Sequence, residues 1–166
     1  MPARASPPPP TKQDDDEAML VLRQFRQVLN TVKTHFQQVE KKAGLGGAQA
    51  WALSVVQQQP GVGVGGLARA MDIHQSTASN LVKALVERSL VEARKEGTDR
   101  RSVQLHLLPA GAQALRKTPG PFEGVLPGAL RELDAPTLRR LRKDLAKLIL
   151  VLHADEKSAG IPLGEM

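Results

Sequence analysis

The stretch Gly66-Leu67-Ala68-Arg69-Ala70-Met71-Asp72-Ile73-His74-Gln75-Ser76-Thr77-Ala78-Ser79-Asn80-Leu81-Val82-Lys83-Ala84-Leu85 decides the fold. Leu67, Ala68 and Met71 share one face at helical spacing, and Ala78, Leu81, Val82 and Leu85 share another. Ile73 falls between the two runs, as a buried plug in a tight turn. The spacing therefore predicts two short helices packed across a turn. Ser76 or Thr77 is expected to cap the second helix, because a hydroxyl accepts the free N–H groups of a first turn. The outer face of that helix carries Gln75, Ser76, Thr77, Ser79, Asn80 and Lys83. These short donors and acceptors, with one cation, suit base edges and phosphates in a major groove. The pattern is a helix-turn-helix signature.

Composition fits such a partner. The 166 residues carry 23 Lys and Arg against 17 Asp and Glu, a net charge of +6. A basic balance of this size suits a polyanion. Cysteine is absent, which excludes disulfides and thiolate metal sites. Three Phe and one Trp are too few for stacking on single strands. No apolar run reaches the roughly 20 residues of a membrane span, and no signal-peptide core opens the chain. A cytoplasmic protein is expected, with no membrane partner and no cofactor.

Outward from the helix pair, Leu90–Arg94 and Ser102–Leu107 alternate apolar and polar residues and read as two antiparallel strands. Between them lies the charged tip Lys95-Glu96-Gly97-Thr98-Asp99-Arg100-Arg101. A charged hairpin directly after a recognition helix reads as a wing, whose arginines enter the neighbouring minor groove. Asp99 is expected to pair with Arg101 and fix its direction.

Upstream, the Pro-rich residues 1–13 read as a disordered arm. Met19, Leu22, Phe25, Leu29, Val32, Phe36 and Val39 then recur every three or four residues in a long amphipathic helix. Ala48–Gln59 form a further helix with Trp51, Leu53, Val55 and Val56 inward. Gly61-Val62-Gly63-Val64-Gly65-Gly66 matches a dinucleotide-binding fingerprint, but no strand feeds it and no second βαβ unit follows, so it reads as a glycine-rich loop.

Downstream, a helix opens at Pro109 and is broken by Pro119, Gly120, Pro121, Gly124, Pro127 and Gly128. Asp134 caps a last long helix with a seam of Leu138, Leu141, Leu145, Leu148 and Leu152. The expected division is a disordered arm over 1–13, a dimerisation helix over 14–44, a winged helix-turn-helix over 45–108, dimerisation helices over 109–155 and a flexible tail over 156–166. The fold class is mainly α with a small β-hairpin wing.

This order resembles the MarR family of bacterial transcription regulators. The resemblance rests on Leu67-Ala68, Ser76-Thr77-Ala78-Ser79, Leu85-Val86-Glu87-Arg88-Ser89-Leu90-Val91, Asp99-Arg100-Arg101 and Leu107-Leu108-Pro109-Ala110-Gly111. It implies a homodimer with interlocked first and last helices, reading a pseudo-palindrome in double-stranded DNA as a repressor. It implies that Ser76, Thr77, Ser79, Asn80 and Lys83 face the major groove, that Arg101 reaches the minor groove, and that Arg94, Lys95 and Arg100 sit near phosphates. It also implies a small-molecule effector, such as an aromatic or phenolic acid, between the dimerisation helices and the winged module. His35, Phe36, Trp51 and Arg69 are the residues expected to line that pocket. Ser89, Leu108 and Asn80 depart from the glycine, threonine and arginine usual at their places.

Other classes compete poorly. No nucleophile–base pair or paired carboxylates suggest an enzyme. His35, His74, His106 and His153 lack metal-ligand spacing. The alternative is a winged-helix protein that binds another protein, or DNA without sequence preference.

Overall fold

Thr11 opens the first helix. Its hydroxyl accepts the Asp14 N–H at 3.3 Å while the Asp14 carboxylate accepts the Thr11 N–H at 2.9 Å, a reciprocal capping box. Helix α1 therefore spans Lys12–Ala43, two residues earlier than the expected boundary at 14, and ends on left-handed Gly44. The computed structural model describes residue 9 and residues 11–95 and 102–165. After α1 come α2 (Gly47–Gln58), α3 (Val64–Met71), α4 (Gln75–Glu87), β1 (Val91–Lys95), β2 (Val103–Leu107), α5 (Pro109–Lys117), α6 (Val125–Arg131) and α7 (Ala135–Val151).

Helix α2 is the centre of the packing. Gly47, Ala48, Ala50, Ala52, Leu53, Ser54, Val55 and Val56 are all buried, on every side of the helix. Trp51, expected inward with Leu53, is only half-buried. The small alanines let α1, α3, α4, α5 and β2 all approach α2 closely. Around it the core gathers Leu45, Leu53, Leu67, Met71, Leu85 and Leu105.

The two strands pair antiparallel, with Val91 opposite Leu107 and Lys95 opposite Val103. The glycine-rich loop adds a third rung. The Gly61 N–H donates to the Leu105 carbonyl and the Leu105 N–H to the Val62 carbonyl, both at 2.9 Å. The loop thus covers the far edge of β2, and α3 begins at Val64, inside the run of glycines.

The break after α5 is real, and it includes a cis Gly120–Pro121 bond. Pro127 and Gly128 nevertheless lie inside α6, where the proline falls in the first turn and costs little. The Phe36 ring fills the space over two glycines. A Cβ on Gly47 would stand 2.1 Å from it, and one on Gly124 2.9 Å. Asp134 caps α7 by accepting the Thr137 N–H at 2.9 Å.

Helix α7 has no buried residue. Leu150 and Val151 are 74% and 75% exposed, and Ile149 and Leu152 are exposed beside them. Met19, Leu20, Val21, Leu22, Val28 and Leu29 are likewise exposed on α1. The segment expected as a flexible tail is instead folded. It forms 3-10 turns at Glu156–Gly160 and Leu163–Glu165, with Gly160 and Pro162 buried.

Candidate nucleic-acid interface

The turn between α3 and α4 sets the candidate reading helix. Asp72 ends α3 in the left-handed conformation, which a short polar side chain tolerates, and the Ile73 N–H returns to the Ala68 carbonyl at 3.0 Å. Ile73 packs half-buried against the core. Leu67, Ala68 and Met71 of α3 and Ala78, Leu81, Val82 and Leu85 of α4 are buried, as the spacing predicts.

Burial of that stripe leaves Gln75, Ser76, Ser79, Asn80 and Lys83 exposed, with Thr77 half-buried at the edge. One expectation fails here. Neither Ser76 nor Thr77 caps α4: the N-cap is His74, and no side chain bonds the first turn. The helix begins one residue before Ser76, so both residues lie inside it. With no side-chain cap, the first turn carries its partial positive charge unneutralised by a side chain.

Beside this helix stands the hairpin. Ala93, Arg94 and Lys95 are exposed at the end of β1. Arg94 is engaged: its guanidinium pairs with Glu92, two residues away on the same side of the strand. Asp99, Arg100 and Arg101 lie outside the described residues, together with the rest of 96–101.

Arg88 and Ser89, both within the stretch that carries the resemblance, position these parts. Arg88, just past α4, donates to the Gly44 carbonyl at 2.8 Å and to the Gln49 side chain at 3.0 Å. Ser89 has φ of +55°, in the left-handed region. The turn into β1 demands that conformation, and serine adopts it without the freedom of glycine.

The expected effector residues do not all meet. A cavity of about 410 Å³ is lined by Asn30, Thr31, Thr34, His35, Gln38 and Val125, between α1 and α6. His35 is there, with Nε2 donating to the Pro121 carbonyl at 3.1 Å and its ring edge-on to Phe36. Phe36, Trp51 and Arg69 do not line this cavity: Phe36 covers Gly47 and Gly124, and the Arg69 guanidinium lies over Gly65 and Gly66 of its own helix. Among the described residues no helix is long and apolar enough to cross a membrane.

Comparison with known proteins agrees with this architecture. The model of the MarR family matches residues 43–102. A protein of Thauera aromatica described as a transcriptional regulatory protein for the hcr operon is 38% identical over 65 residues, which span 39% of each chain. The structure of a MepR-like protein complexed with pseudoligands superposes with a TM-score of 0.54 at 17% identity, over 86% of this chain and 97% of that one. Bordetella bronchiseptica BpsR, from work on the regulation of its DNA binding by 6-hydroxynicotinic acid, gives 0.51 at 22% identity, over 85% and 99%. The segment similar to the MarR family, 43–102, is the one that builds α2, the helix pair and the first strand of the hairpin.

Proposed function

We propose that this protein is a homodimeric transcription regulator that binds a pseudo-palindromic operator and represses from it until a small effector binds. Residues 45–108 are the DNA-binding region, and 14–44 and 109–155 the dimerisation region. The observation that carries the reading is α4: a polar, exposed face on a helix whose first turn has no side-chain cap. Ser76, Thr77, Ser79, Asn80 and Lys83 enter the major groove, and Arg101, oriented by Asp99, reaches the minor groove. Gln75, Arg94, Lys95 and Arg100 contact phosphates.

The exposed apolar residues of α1 and α7 support the dimer. A second copy that covers both places two reading helices about 34 Å apart, one turn of duplex. The solvent-open groove beside His35, where α1 and α6 meet, supports the place proposed for the effector. BpsR, whose DNA binding is regulated by 6-hydroxynicotinic acid, supports an aromatic acid as the class. Occupancy there shifts the population between dimers whose heads match the operator and dimers whose heads do not.

The test is selection of genomic fragments by the purified protein at about 0.15 M salt. One enriched inverted repeat is expected. Uniform recovery overturns sequence-specific reading and favours an architectural or protein-binding role.

A further inference from the structure

The segment after α7 folds back onto the flank of α4. The Gly160 carbonyl accepts the His74 backbone N–H at 3.2 Å, and His74 Nε2 donates to the Lys157 carbonyl at 3.0 Å. Ile161 and Glu165 then share a cleft of about 310 Å³ with Thr77, Asn80 and Ala84 of α4 and Gln49 of α2. The seat is closely fitted. A Cβ on Gly160 would stand 2.1 Å from the His74 ring, and one on Gly164 would stand 2.6 Å from the Ala48 nitrogen and 2.8 Å from the Gly47 carbonyl carbon. Gly160 and Pro162 are buried in the contact.

Position gives this contact its meaning. The N–H at a helix start is a donor that a phosphate takes, and at His74 the Gly160 oxygen already holds it. Thr77 and Asn80, two of the residues assigned to base edges, face Ile161 and Glu165 across the cleft. The segment also carries Asp155, Glu156 and Glu165 against the single Lys157. Glu165 brings negative charge to that cleft, beside the face where a polyanion would dock, and the Gly160 carbonyl competes with the polyanion for the same donor.

We propose that 155–165 is an intramolecular cover on the reading helix, which DNA must displace and whose release tightens DNA binding. The proposal rests on the DNA-binding reading above. Apparent affinity follows the fraction of chains that are open, so a cover closed about nine-tenths of the time weakens binding about tenfold.

Gly164→Val in the full chain is the lever, because its new side chain meets the backbone of α2, which cannot swing aside as the His74 ring can. A chain ending at Ala154 is the second variant, and circular dichroism checks that each keeps its helices. Affinity for a random-sequence duplex pool and for its selected members is measured at fixed salt, alongside hydrogen exchange at the His74 amide. The expected result is binding about tenfold tighter in both variants, with faster His74 exchange. Equal or weaker binding by folded variants overturns the cover and leaves the DNA reading standing. Retention of no duplex by any form overturns the DNA reading, and the cover with it.

Discussion

Arg88 and Gly44 are joined by a 2.8 Å hydrogen bond from guanidinium to carbonyl, which ties the exit of α4 to the end of α1. A carbonyl at a helix C-terminus carries partial negative charge, so a cation suits it. Arg88→Met keeps the apolar stem and removes both donors. Its expected cost is about 1 kcal/mol, the net worth of an exposed charge-assisted bond. For a chain of this size that lowers Tm by roughly 2–4 °C. An unchanged melting curve would show the contact to be idle.

Ser89 in the left-handed region is a local cost that the chain carries. Ser89→Gly relieves it, and the expected gain is about 1 kcal/mol, read as a higher urea midpoint at constant slope. A loss would show that serine makes an interaction worth more than the strain.

The cap of α7 makes stability depend on pH. The Thr137 hydroxyl first, then its backbone N–H, hold the Asp134 carboxyl below the usual carboxylate range. The Thr11 hydroxyl and N–H do the same for Asp14. A depressed folded pKa means that the unfolded chain takes up protons first on acidification. The stabilisation is therefore complete well above about pH 4 and is lost as pH falls through the lowered values. Asp134→Asn should differ from the parent in urea midpoint at pH 7, and the two should converge as pH falls through the lowered carboxylate value. Parallel curves across that range would assign the pH dependence elsewhere.

Base reading and phosphate binding separate by mutation. Under the DNA-binding reading, Asn80→Ala costs about 1–3 kcal/mol on the preferred site and little on others, while Lys95→Ala weakens all duplexes and lowers the salt slope by about 1. Equal losses on every sequence for Asn80→Ala would remove it from direct readout. Binding titrations at several salt concentrations decide both.

The bare end of α7 predicts the assembly. Leu150→Glu places a charge on a helix surface that a second copy is proposed to bury. Sedimentation equilibrium should show dimer association at least about tenfold weaker, equivalent to about 1.4 kcal/mol. A parent chain that sediments as a monomer throughout would overturn the dimer.

The helix pair was legible because its apolar residues are large and recur at one period. Leu67, Met71, Leu81 and Leu85 mark the buried face, and what they leave outside is the candidate interface. The strands were legible by alternation, and the break after α5 by its prolines. The centrality of α2 was not, because alanines buried on all sides give no stripe to read. The N-cap of α4 at His74 escaped for a different reason. The partner of its N–H is Gly160, far along the chain, and no local pattern announces it. The folded segment 155–165 escaped with it: glycines seated against a distant backbone look, in sequence, like a fraying end. Arg88 and Ser89 were quoted for family resemblance, but their work is set by a carbonyl on α1 and by a backbone angle.

The double pairing of β2 has a mechanical result. With β1 on one side and Gly61–Val62 on the other, the stem of the hairpin is bonded to the loop that leads into α3, and α3 is packed against α4. Helix pair and stem therefore turn as one rigid body, with little hinge between them. Under the proposed dimeric reading, an effector then changes the orientation of this unit before its internal geometry, and regulation is a matter of aim: the two grips keep their shape and lose their alignment.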